Sequence, residues 1–134
     1  MKKIKNLLVV DDDLVSSFVI SSTLEDMAVA DKVSTVFNGK QALDFLEQNC
    51  IHEKAEEFCP AFILLDLNMP VMDGFEFLEA FGQTFSKYAD KITICILSSS
   101  SARKDKVKAL NYPISGFITK PLTEEKLKPI LEII

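Results

Sequence analysis

The stretch "AFILLDLNMPVMDGFEFLEAF", residues 61–81, sets one aspartate between an unbroken apolar run and a loop holding proline and glycine. "AFILL" (61–65) does not alternate apolar with polar, which marks a strand covered on both faces. "NMPVMDG" (68–74) is a loop: Pro70 fixes φ, and Gly74 can take φ > 0 before a helix starts. Phe75, Leu78, Gly82 and Phe85 then recur at the spacing of a helix face. Asp66 therefore leaves a buried strand at its carboxyl end.

The same alternation repeats on either side. Apolar runs recur at "NLLVV" (6–10), "KVSTVF" (32–37), "ITICIL" (92–97) and "GFIT" (116–119). Between them lie helical patterns: Ala42, Leu43 and Leu46 on one face, and Leu127, Ile130, Leu131 and Ile134 on another. The segment from about Leu14 to Met27 is apolar on more than one side, so its buried face is not evident. Five strand-then-helix units predict an α/β domain with right-handed crossovers, spanning 1–134 as a single domain. The stretch "QNCIHEKAEEFCP" (48–60) lacks a period; it is expected to extend the second helix and make a long connection. Thr123 can cap the last helix, and Pro129 inside it should bend the axis.

Composition narrows the class. The net charge is −5, which gives nucleic-acid binding no support. No run approaches the roughly 20 apolar residues of a membrane span, and "MKKIKNLLVV" meets three aspartates with no cleavage site. The expectation is a soluble cytoplasmic protein. Three cysteines, an odd count without a secretion signal, argue for reduced thiols. Cys50, His52 and Cys59 match no zinc module, and a single histidine leaves little for a histidine triad.

In an open parallel sheet, functional groups gather at the carboxyl ends of the strands. Those ends carry Asp11, Asp12 and Asp13, then Asn38, Asp66, Ser98, and Thr119 with Lys120. Clustered carboxylates suit a hard divalent cation with oxygen ligands. A carboxylate such as Asp66 can attack phosphorus, Lys120 can meet phosphate oxygens, and Ser98 offers a small donor. Each residue also has a bland reading: a solvated turn capping a helix, a surface lysine, a strand-end cap. Their arrival at one sheet edge is what speaks for a site.

"VVDDD", "ILLDLNMPVMDGFEFL", "CILSSS" and "GFITKPL" together resemble the receiver domain of two-component response regulators, of the kind that works in chemotaxis, here as a stand-alone chain. The resemblance implies a flavodoxin-like, doubly wound (βα)5 three-layer sandwich with strand order 2-1-3-4-5. It implies Asp66 as phosphoacceptor for a sensor histidine kinase or a histidine phosphotransfer protein. It also implies magnesium (or manganese) at Asp12 and Asp66, at Asp11 through water, and at the backbone carbonyl of Asn68. Ser98 and Lys120 would contact the phosphoryl group, and Phe117 would swing inward as Ser98 moves. Lys120–Pro121 would be the family's cis peptide, and Asp13 falls at a variable position. The interval between Asp12 and Asp66 is longer than a compact receiver needs, with the excess in 48–60.

The implied output is a protein-binding surface on the helix near 103–108, the strand 116–119 and the last helix, switched toward an unidentified downstream protein. Arg103, Lys104, Lys106 and Lys108, with Lys126 and Lys128, suit an acidic protein partner or simply form a solvated face. Asp105, Glu124 and Glu125 dilute that charge. An aspartyl-phosphate phosphatase resembling the haloacid-dehalogenase family would need a second aspartate where Asn68 stands, so the reading is a switch and not an enzyme. A flavin-binding relative would want a hydroxyl- and glycine-rich loop where the three acids stand.

Overall fold

The computed structural model describes residues 3–51, 55–100 and 102–133. Five strands, β1 (Ile4–Val10), β2 (Ala30–Val36), β3 (Phe62–Leu65), β4 (Thr93–Ser98) and β5 (Gly116–Thr119), form one sheet. All neighbours pair parallel, in the order β2-β1-β3-β4-β5. The helices are α1 (Leu14–Met27), α2 (Gly39–Cys50), α3 (Ala55–Phe58), α4 (Gly74–Thr84), α5 (Arg103–Ala109) and α6 (Glu124–Leu131). Because the short α3 is extra, the expected fourth and fifth helices are α5 and α6. This is the flavodoxin-like three-layer arrangement.

The continuous apolar runs follow from cover on both faces. Leu8, Val10, Ile63, Leu65, Ile94 and Ile96 point to one side, where α2, α4 and α5 bring Ala42, Leu46, Phe77, Phe81 and Ala109. Leu7, Val9, Phe62, Leu64, Leu97 and Ile118 point to the other, where α1 and α6 bring Ile20, Leu24, Leu127 and Leu131. Alternate residues thus serve two cores, and each fully buried Leu or Phe contributes roughly 2–3 kcal/mol.

The ambiguous face of α1 has a physical explanation. Only Ser17, Ile20 and Leu24 are buried, while Leu14, Val15 and Phe18 are each more than 70% exposed. The helix carries apolar residues that its own core does not use. By contrast, α5 is held lightly: Ala109 is its single buried residue, and its N-cap Ala102 makes no side-chain cap.

Several expectations are corrected. The region 48–60 extends the second helix only as far as Cys50, and α3 follows as a separate turn in the connection to β3. Cys50 and Cys59 form a disulfide, so those two thiols are not free. The end of α2 and the approach to β3 bring their Cα atoms to 4.6 Å, within disulfide reach. The odd count describes only Cys95, which stays free and buried. His52 lies outside the described residues. Asn6 donates its side-chain N–H to the Glu57 carbonyl at 2.7 Å, tying the added segment to β1.

The loop before α4 also works differently from expectation. Gly74 does not take positive φ; Val71 does, at 68°. Gly74 is required because its backbone packs on the Asp66 carbonyl and the Leu67 Cα, leaving no room for a Cβ. Its N–H donates to the Leu67 carbonyl at 3.0 Å, and Gly39 N–H donates to the Met72 carbonyl at 2.9 Å. The loop is therefore fastened from two sides. Thr123 caps α6 as expected, accepting from Lys126 N–H at 3.2 Å. Helix α6 continues through Pro129 to Leu131, and the donor that Pro129 lacks falls on Glu125, which is exposed to water.

Three outcomes are expected. Gly74→Ala should lower stability by about 2 kcal/mol in urea unfolding, because backbone atoms must shift to admit the methyl group. Thiol labelling should find no accessible thiol in the folded chain, one after unfolding without reductant, and three after reduction. Burial pushes the Cys95 thiol up to about 12, so it resists alkylation while folded. Opening the Cys50–Cys59 loop should reduce stability by about 2.5 kcal/mol.

Candidate functional site

Parallel pairing brings the acids together. Val10 of β1 is paired with Leu65 of β3, so the next residues, Asp11 and Asp66, leave the sheet side by side. Asp66 N–H donates to the Val10 carbonyl at 2.9 Å, and Asp11 N–H to the Val36 carbonyl at 3.0 Å. On the far side, Ser98 of β4 is paired with Thr119 of β5, and Lys120 N–H donates to the Ser98 carbonyl at 2.8 Å. The Lys120–Pro121 bond is cis. Lys120 then crosses the edge. Its Nζ lies 2.7 Å from Asp11 Oδ2 and 3.2 Å from Asp66 Oδ2.

The carboxylates are poorly solvated: Asp11 is 1% and Asp66 7% exposed. Asp11 is well supplied with donors. Besides Lys120, it accepts from Ser16 Oγ at 2.8 Å and from Asp13 N–H at 2.9 Å. Asp66 receives less, with Asn68 N–H at 3.4 Å on Oδ1. Burial raises the Asp66 carboxyl above its ordinary range; Lys120 pulls it down, and Asp11 pushes it up again. For Lys120, burial works against the charged form, but the hydrogen bond to Asp11 and the charges of Asp66 and Asp11 outweigh it. The ammonium is held above its usual value.

Asp12 is exposed and faces the same space. One carboxylate oxygen from each of Asp11, Asp12 and Asp66 lies within 4.8 Å of the others. An all-oxygen acidic donor set with one solvent-facing member fits a hard divalent cation, which keeps several of its waters. The acidic cluster is compatible with magnesium.

The edge thus unites Asp11, Asp12, Asp66 and Lys120. Ser98 lies one strand away, fully buried, and its hydroxyl accepts from Ser100 N–H at 3.1 Å. Asn68 is exposed in the loop after β3. Phe117 is half-buried against the core shared by α2, α4 and α5, with Lys106 Nζ 5.8 Å from its ring centre. Asp13 caps α1, accepting from Val15 N–H at 2.9 Å and Ser16 N–H at 3.2 Å. Sequence reasoning missed Ser16 as a support for Asp11. The signal was its place in the first turn of a helix that begins right after the acids. It also missed Ser100, whose hydroxyl donates to Asp105 at 2.6 Å.

Comparison with known proteins agrees with this geometry. Residues 7–132 match the family described as response regulator receiver domain. The chain is 29% identical over 126 residues to the probable methanogenesis regulatory protein FilR2 of Methanothrix harundinacea, covering 94% of this chain and 78% of that protein. It is 31% identical over 122 residues to the transcriptional regulatory protein PrrA of Mycobacterium leprae, covering 90% of this chain but only 46% of PrrA. Among solved structures, a two component response regulator from Cytophaga hutchinsonii superposes with a TM-score of 0.89 at 27% identity, over 98% of this chain and 97% of that one. The chemotaxis response regulator CheY4 of Vibrio cholerae gives a TM-score of 0.73 at 29% identity, over 98% of each chain. Among the described residues, no helix is long and apolar enough to cross a membrane. With its sheet order, its acidic edge and its lysine in register, the chain belongs to the response regulator receiver family.

Proposed function

We propose that this protein is a phosphoryl-accepting switch with Asp66 as the acceptor. The observation that carries the reading is the Lys120 ammonium between the buried carboxylates of Asp11 and Asp66, at 2.7 and 3.2 Å, with Asp12 alongside. An Asp66 carboxylate oxygen attacks the phosphorus of a donor phosphohistidine. The new P–O bond forms as the P–N bond breaks, and the imidazole leaves. Catalysis here is positioning and charge neutralisation. Asp11, Asp12, Asp66 and the Asn68 carbonyl would hold magnesium or manganese, which supplies positive charge next to the phosphoryl oxygens. Lys120 stabilises those oxygens from the other side, releasing part of its hold on Asp66.

The donor is a sensor histidine kinase or a histidine phosphotransfer protein. Leu14, Val15 and Phe18 on α1, with Val71 in the loop after β3, supply exposed apolar surface for its docking. On phosphorylation, the Ser98 hydroxyl turns to the phosphoryl group and Phe117 moves inward. That shifts a two-state equilibrium at the surface formed by α5, β5 and α6. A kinase donor puts the protein in the cytoplasm, where thiol reductants act on the Cys50–Cys59 bond.

Acetyl phosphate with magnesium should label the chain with a hydroxylamine-labile phosphoryl group, detected by intact mass. Asp66→Asn should abolish the label without unfolding the chain. A label that persists in this variant refutes Asp66 as acceptor. Lys120→Met should lose roughly 3 kcal/mol of stability at neutral pH without metal, since two buried carboxylates are then left to repel each other. Millimolar magnesium should restore part of that loss, read as a shift of the urea midpoint.

A further inference from the structure

Two consecutive serines of α1 clasp Asp11 at both ends. Ser16 Oγ donates to the carboxylate at Oδ2, at 2.8 Å, and Ser17 Oγ donates to the main-chain carbonyl at 3.2 Å. The other carboxylate oxygen, Oδ1, accepts from the Asp13 N–H at 2.9 Å. Asp13 is the N-cap of α1, and Ser16 stands three residues on, where a capping box puts Glu or Gln. Helix α4 has that box: the Asp73 N–H donates to Glu76 Oε1 at 3.1 Å. In α1 the carboxylate of Asp11 takes the place of that Glu. It accepts the N–H of the cap, and the short Ser16 side chain reaches its second oxygen. The start of α1 is thus built around Asp11.

Asp11 Oδ2 is a shared acceptor. It takes Ser16 Oγ at 2.8 Å and Lys120 Nζ at 2.7 Å, two donors on an oxygen with two lone pairs. The donors differ in charge and in tether. Lys120 is a cation on a long side chain, and it must loosen its grip on Asp11 when a divalent cation shares the acids, because like charges repel. Ser16 is neutral and short, fixed on the first turn of a 14-residue helix, and feels no such repulsion. Asp11 is 1% exposed, so water has little access to make good a lost donor, and an unfilled buried acceptor is costly. We infer that Ser16 is a positioning residue for the cation site: it holds the Asp11 carboxylate in place through Oδ2 as Lys120 gives way. The cation itself rests on the receiver reading; the hydrogen bonds around Asp11 do not. Ser16 also lines, with Val19, Lys120 and Pro121, an open groove of about 360 Å³. Ser16→Thr therefore keeps the hydroxyl and has room for its methyl group.

The test titrates the whole, metal-free chain with magnesium chloride and reads the backbone amide NMR shifts of Asp12, Asp13 and Asn68. Ser16→Ala should bind magnesium about tenfold more weakly than the unmodified chain. Ser16→Thr should restore the affinity to within about twofold. Thr23→Ala serves as the control for a general loosening of α1. It removes a hydroxyl that donates to the Val19 carbonyl at 2.9 Å, away from the acids, and should leave magnesium binding unchanged. Unchanged or tighter binding in Ser16→Ala, no recovery in Ser16→Thr, or an equal weakening in Thr23→Ala overturns the assignment. The receiver reading fails separately. If the unmodified chain gives no saturable shift with magnesium, the cation reading is refuted and the role of Ser16 falls with it. Equal, saturable binding in all four proteins refutes the role of Ser16 alone.

Discussion

Two carboxylates withdrawn from water at one sheet edge are held together by a single ammonium. Asp11 comes from β1, Asp66 from β3 and Lys120 from the end of β5, so three strands must arrive in register for the charges to balance. Without Lys120 the pair would be unstable in so dry a setting; without the acids Lys120 would be a buried cation lacking a partner. The strand order places the acid-bearing strands next to each other and leaves β4 between them and the lysine. Lys120 therefore has to reach across, and Ser98, at the end of the intervening strand, lies beside its path.

That arrangement explains why so much of the site could be read from the chain. A parallel sheet buried on both faces writes its strands as continuous apolar runs, and each run stops where the next residue is polar. Asp11, Asp66, Ser98 and Lys120 each follow such a run, so their convergence needed only the strand order. The capping roles of Asp13 and Thr123 were legible for the same local reason, since a cap acts within three residues of itself.

What escaped the sequence depended on contacts without a period. The disulfide between Cys50 and Cys59 requires the end of α2 and the segment between α3 and β3 to meet, and nothing in a non-periodic stretch encodes that meeting. Gly74 was assigned conformational freedom when its real demand is space beside the Asp66 carbonyl. The positive φ fell on Val71, a β-branched residue, where local preference would not put it. Helix α1 looked indistinct because its apolar surplus faces outward, beyond what the fold itself needs.

The fastening of the loop after β3 has a further consequence. Gly39 grips it at Met72, and Gly74 grips it at Leu67, so the ground on the β2 side of Asp66 is stiff. On the β5 side, α5 is an uncapped helix with one buried residue. The two flanks of Asp66 are thus fastened unequally, by backbone hydrogen bonds from Gly39 and Gly74 on one side and by the burial of Ala109 alone within α5 on the other.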